Sequence, residues 1–171
     1  DRIASATRRA ITEKMEEDPA FYRQFSDMLL ETIRAYRERR LSEREYLNSV
    51  SDLASKVARK DRGRDVPDTI RGDDDAQALF GLLEGRLARQ EGALLAPDEG
   101  ASIALDVTKI IRSHLIVGIW SNEVAQNNLR NAIDDYFFDV LRDTMHIELP
   151  MEQLDDLEQR IMDLARARFA A

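Results

Sequence analysis

Apolar positions recur through most of the chain at spacings of three and four, the period of an amphipathic helix, and no stretch alternates as a half-buried strand does. Phe21, Phe25, Leu29, Ile33 and Tyr36 share one such face. Asp18-Pro19 opens that helix, because Asp accepts from an orphan N–H and Pro at the first helical position gives up no hydrogen bond. The run Arg37 to Arg40 suits its C-terminal end, where the backbone dipole is negative. Arg2 to Glu17 also reads as helical. Ser42 and Glu45 have the spacing of a capping box, with Leu41 and Tyr46 placed as a hydrophobic staple. Tyr46, Val50, Leu53 and Val57 then line one face, and the very short turn near Leu41 predicts an antiparallel helical hairpin.

Residues 59–75 are charged and broken by Gly63, Pro67 and Gly72, so they predict a connection with room for one short turn. The stripe Leu79, Phe80, Leu83 and Leu87 predicts a helix from Asp75 to Gln90, with Gly81 and Gly85 on one side for close approach of a neighbour. Gly92, Pro97 and Gly100 mark a second loop. A helix over about 99–116 buries Ile103, Val107, Ile110 and Ile111, and Gly118 can end it in a left-handed cap. Ser121 or Asn122 caps the next, which runs to about Thr144 through Leu129, Ile133, Tyr136, Phe137, Val140 and Leu141. The last starts near Pro150 and carries Leu154, Leu157, Ile161, Leu164 and Phe169. The expected fold is all-α: six or seven helices packed as antiparallel hairpins in one bundle-like domain over 1–171, with loops near 60–74 and 91–99.

Composition agrees with that expectation. The 171 residues are 43% apolar and 34% charged, with few Gly and Pro, which disfavours a turn-rich β protein. The absence of cysteine excludes disulfides and thiolate metal sites, and a cytoplasmic location is the expectation. No run of about 18 apolar residues is present, so no membrane span or membrane partner is expected. Asp1 opens directly into helical sequence, as in a piece of a longer protein. The formal net charge of −8 disfavours a simple nucleic-acid binder, but it is unevenly spread. Residues 1–72 carry 16 Lys/Arg against 14 Asp/Glu, and residues 73–171 carry 9 against 19.

Catalytic patterns are missing. There is no GxxxxGK[ST] phosphate loop and no HExxH, CxxC or GxSxG. No catalytic residue, metal ligand or cofactor is expected. Asp143-x-x-His146 is one isolated pair at a helix end, where a di-metal bundle needs two Glu-x-x-His pairs and two further Glu. His114 reads as structural. Asp73-Asp74-Asp75 reads as a helix-start cap. Asp134 and Asp135 are neighbours on a helix, diverge by about 100° and cannot converge on one substrate atom.

Two features fit binding. An arginine-rich belt (Arg34, Arg37, Arg39, Arg40 and Arg44, then Lys56, Arg59, Lys60, Arg62 and Arg64) could hold duplex DNA phosphates or an acidic protein, although Glu31, Glu38, Glu43 and Glu45 intersperse it. On the fifth long helix Asn127, Asn131, Asp134 and Phe138 recur at spacings of four, three and four. Asn is a mediocre helix former, so propensity does not explain this row. It is a candidate partner-binding face, against the alternative that its members only bond neighbouring helices.

The stretch Glu13 to Tyr46 (EKMEEDPAFYRQFSDMLLETIRAYRERRLSEREY) resembles the start of the helical C-terminal domain of the motor (R) subunits of type I restriction-modification enzymes. Trp120 to Val140 (WSNEVAQNNLRNAIDDYFFDV) is similar to that domain's most characteristic block, and Glu148-Leu149 and Ala165 to Phe169 also fit. The likeness is looser between Arg59 and Ser102. The resemblance implies a parent that is an ATP-dependent DNA translocase and endonuclease, whose nuclease and helicase lobes, with their ATP and Mg2+, precede this region. It further implies that this region attaches the motor to the methyltransferase and specificity subunits, with duplex DNA contact as the alternative.

Overall fold

A computed structural model of the chain describes residues 2–62, 66–89 and 92–170. Seven α-helices account for most of these residues, as the hydrophobic period predicts: α1 (Arg2–Lys14), α2 (Pro19–Arg37), α3 (Glu43–Arg59), α4 (Asp74–Leu83), α5 (Pro97–His114), α6 (Glu123–Tyr136) and α7 (Met151–Arg168). The fold is all-α, with one small two-stranded sheet among the described residues. Two compact units are distinguished, Asp1–Asp65 and Val66–Ala171.

The first unit packs α1, α2 and α3 around Ile11, Phe21, Phe25, Leu29, Tyr46, Val50 and Leu53. Its helix starts form as their residues dictate. Asp18 accepts from the Phe21 N–H at 3.2 Å. Ser42 and Glu45 close a full capping box, the Ser42 N–H donating to Glu45 Oε2 at 2.8 Å and the Glu45 N–H to Ser42 Oγ at 3.3 Å. The hairpin turn takes Arg39 through φ +58, and Tyr36 stacks on Tyr46 with ring centroids 4.4 Å apart. The buried Asp18 carboxylate also holds Arg62, whose guanidinium lies over the Phe21 ring. The end of α3 is thereby tied to the start of α2.

The second unit is built on α4 to α7. The 59–75 connection contains the expected short turn, a 3-10 turn at Asp68–Ile70 that buries Ile70 completely. Helix α4 stops at Leu83, short of the expected Gln90, which itself lies outside the described residues. Gly85 takes φ +75 just past the helix, so it serves to stop α4 and not to admit a neighbour. Leu87 is nonetheless buried, carried inward by the non-helical chain. That chain forms β1 (Ala88–Arg89), antiparallel to β2 (Ile147–Glu148), with Ala88 opposite Glu148 and Arg89 opposite Ile147. Two-residue strands are too short to show alternation in sequence.

Helix α5 begins at Pro97, with Glu99 accepting from the Ala96 N–H at 3.1 Å, and ends at His114. Gly118 is left-handed (φ +74) but opens the next 3-10 turn, four residues beyond the end of α5. Asn122 caps α6 by accepting from the Ala125 N–H at 3.1 Å. Past Tyr136 the helix widens into a π-helical segment, Phe137–Arg142, in which the Asp143 and Met145 N–H groups donate five residues back, to Phe138 and Val140. Tyr136 donates to Asp106 at 2.9 Å and fastens α6 to α5. Burial and this bond push the Tyr136 hydroxyl well above its ordinary pKa.

Candidate functional site

The acidic helix start is engaged in a cap and ion pairs. Asp73 caps α4 through the Ala76 N–H at 3.0 Å, and Arg112 from α5 donates to Asp73 through both terminal nitrogens at 2.9 Å and to Asp75 at 2.8 Å. Arg168 from α7 reaches Asp75 at 2.8 Å. The Arg112 guanidinium holds the Asp73 carboxyl below its usual range. His114 Nδ1 lies 2.8 Å from the Ile110 carbonyl. His146 has φ +55 and sits beyond the helix, so Asp143 and His146 do not share the helical turn that the metal reading needs. Among the described residues no group of three or more His, Cys, Asp or Glu could hold a metal ion.

Four members of the arginine belt hold carboxylates. Arg40 bonds Glu31 at 3.0 Å and Glu38 at 2.7 Å, Arg34 lies 3.9 and 4.0 Å from the same two carboxylates, and Lys56 bonds Asp52 at 2.8 Å. Arg59 donates to its own helix at Ser55, Lys60 forms the left-handed C-cap of α3, and Arg62 is buried on Asp18. Arg64 lies outside the described residues. Arg37, Arg39 and Arg44 are exposed around the hairpin turn.

The row on α6 is split by its own geometry. Asn127 and Asn131 are exposed, and Val124, Asn128 and Asp135 share that face. Asp134 instead turns to the edge that meets α7, half-buried, with its Oδ1 fully buried and without a hydrogen-bond donor among the described residues. Asp134 and Asp135 diverge as expected of adjacent helical residues. Phe138 is half-buried against the core, with the Arg142 guanidinium 4.7 Å above its ring. The structure therefore keeps two members of the row, Asn127 and Asn131, together at the surface and folds the other two inward.

Just upstream of α6 in sequence lies an exposed apolar segment. In Leu115 to Trp120 only Ile119 is buried, whereas Ile116 is 53% exposed and Val117 99% exposed. Val124, in the first turn of α6, is 69% exposed. The segment is braced from behind. Gln126 donates to the Ile119 carbonyl at 3.1 Å and accepts from Arg166 at 3.2 Å. The Trp120 N–H donates to the Phe169 carbonyl at 2.6 Å, and Arg166 lies over the indole.

Reading by motif misses the α6–α7 seam. Arg130 Nε lies 3.4 Å from Glu158 Oε1, and the Glu158 side chain is largely buried. Burial first, then hydrogen bonding to the Asp134 carboxyl, pushes the Glu158 carboxyl up to about 7. The signal was present in the sequence: Glu158 stands four residues after Leu154 and three before Ile161, at the margin of the apolar stripe of α7.

No protein-family model, curated protein or solved structure matches the chain.

Proposed function

We propose that the chain is a non-catalytic assembly module, attaching an ATP-dependent DNA translocase and endonuclease subunit to the methyltransferase-specificity core of a type I restriction-modification enzyme in the cytoplasm. Partner identity rests on the resemblance of Glu13 to Tyr46 and Trp120 to Val140. The observation that carries a docking role is the face of Val124, Asn127, Asn128 and Asn131, preceded by the exposed Ile116 and Val117. Isolated exposed apolar residues are ordinary, but here several occur within one short segment next to amides that can both donate and accept. Exposed apolar groups together with amides are suited to a protein interface. ATP and Mg2+ belong in this reading to other domains of the parent subunit.

The test is retention of the chain by purified methyltransferase-specificity core, with and without DNA, over a salt series. Docking predicts retention without DNA at high salt, abolished in Val117→Asp and Val124→Asp while thermal unfolding is unchanged. Absence of retention under every condition would sink the proposal.

A second reading, duplex contact, is supported by the exposed Arg37, Arg39 and Arg44 at one turn. Retention only with DNA, declining steeply as salt rises, would favour it.

A further inference from the structure

Helices α6 and α7 run antiparallel in a register marked by polar pairs at two levels. At one level Arg166 donates to Gln126, with Trp120 bonded to Phe169 alongside. At the other, eight residues away on each helix and about 12 Å along the axis, Asp134 faces Glu158. Leu129, Ile133, Leu157, Ile161, Met162 and Ala165 are buried along the same helices.

The second level is chemically incomplete when both carboxyl groups are ionised. Asp134 Oδ1 is buried and has no donor among the described residues. Two carboxylates cannot bond each other, because each only accepts. The charged groups facing Glu158 are Asp134 and Arg130 from α6 and Asp155 from its own helix. Arg130 supplies one contact to Glu158 at 3.4 Å. One proton changes the account. Protonated Glu158 is a donor, Asp134 is its acceptor, and the repulsion across the seam disappears.

We propose that Asp134 and Glu158 form a proton-operated clasp between α6 and α7: a proton shared by the two carboxyl groups holds the helices together, and its loss loosens α7 together with the contacts its end makes to Trp120. Because the Glu158 carboxyl is raised in the folded chain from 4.5 to about 7, its stabilising contribution is fully present below about 4.5 and is lost as pH rises towards 7. The direction is opposite to that of an ordinary ion-paired carboxylate. A surface beside Trp120 would thus be held more firmly on the acidic side of neutrality.

Trp120 is the only tryptophan in the chain, so its emission reports on the end of α7 without labelling. The experiment follows the Glu158 carboxyl by carbon-13 NMR from pH 3 to 9, and Trp120 emission over the same range. Glu158 is expected to titrate near neutrality, with a step in Trp120 emission at the same midpoint. Glu158→Gln, whose amide donates to Asp134 at every pH, should remove the step and keep the low-pH emission throughout. Titration of Glu158 in the ordinary glutamate range, a flat Trp120 signal, or a step that survives in Glu158→Gln would each overturn the clasp. If Glu158→Gln does not fold, Asp134→Asn, whose amide donates to ionised Glu158, is expected to remove the same step. If neither folds, the two titrations of the unaltered chain decide.

Discussion

The indole N–H of Trp120 donates to the backbone carbonyl of Phe169 at 2.6 Å, across 49 positions of chain. This bond brings the loop before α6 to the last turn of α7, and the Arg166 guanidinium, 5.5 Å from the ring centroid, covers the same indole. Trp120→Phe removes the donor and leaves the carbonyl to find another. The expected loss is about 1–2 kcal/mol in urea unfolding followed by circular dichroism. A change below about 0.3 kcal/mol would mean that the carbonyl finds another donor at little cost.

Asp18 combines a helix cap with a buried ion pair in one side chain, accepting from the Phe21 N–H and from Arg62. The two roles separate by substitution. Asp18→Asn keeps an oxygen for the cap and loses the charge, whereas Asp18→Ala loses both. The alanine variant should cost about 1 kcal/mol more than the asparagine one, the usual worth of an N-cap. Equal losses in chemical unfolding would show that Arg62 alone matters.

Arg112 links α5 to the start of α4 through Asp73 and Asp75. Its hydrogen bonds are the first cause of the lowered Asp73 pKa, so the stabilisation is present above the ordinary value of 3.8 and is lost as pH falls through the lower folded value. Arg112 is 43% exposed, and solvent screening limits the pair to about 0.5–1 kcal/mol. Arg112→Ala should therefore lower stability at pH 6 by roughly that amount and flatten the acid limb below 3.8. Unfolding midpoints between pH 2 and 6 for both chains check this, and parallel curves would contradict it.

Of the cations at the α2–α3 turn, Arg34 and Arg40 already face Glu31 and Glu38. Binding of the isolated chain to duplex DNA is expected to be absent at about 0.15 M salt, where phosphate contacts weaken steeply. Should binding be found, the triple variant Arg37→Ala, Arg39→Ala, Arg44→Ala is the one to compare. A fall in the salt slope of about 0.9 for each phosphate no longer neutralised would transfer the function to this turn.

Local sequence determined the helices and most of their starts. Asp18, Ser42 with Glu45, and Asn122 act within four residues of themselves, so capping chemistry and hydrophobic period are enough to place α2, α3 and α6. The same locality makes the missing catalytic motifs legible, as well as the divergence of Asp134 and Asp135. Failures came where the deciding partner is distant in sequence. Gly85 looked like a packing glycine within a long apolar stripe, yet its left-handed backbone ends α4 and sends the chain into a strand paired with Ile147–Glu148. The row from Asn127 to Phe138 looked continuous because helical spacing treats both sides of a face alike. Only the arrival of α7 decides that Asn127 and Asn131 stay in water while Asp134 meets Glu158. Periodicity states which residues share a side of one helix; tertiary packing decides what stands opposite them, and burial and charge take their meaning from that.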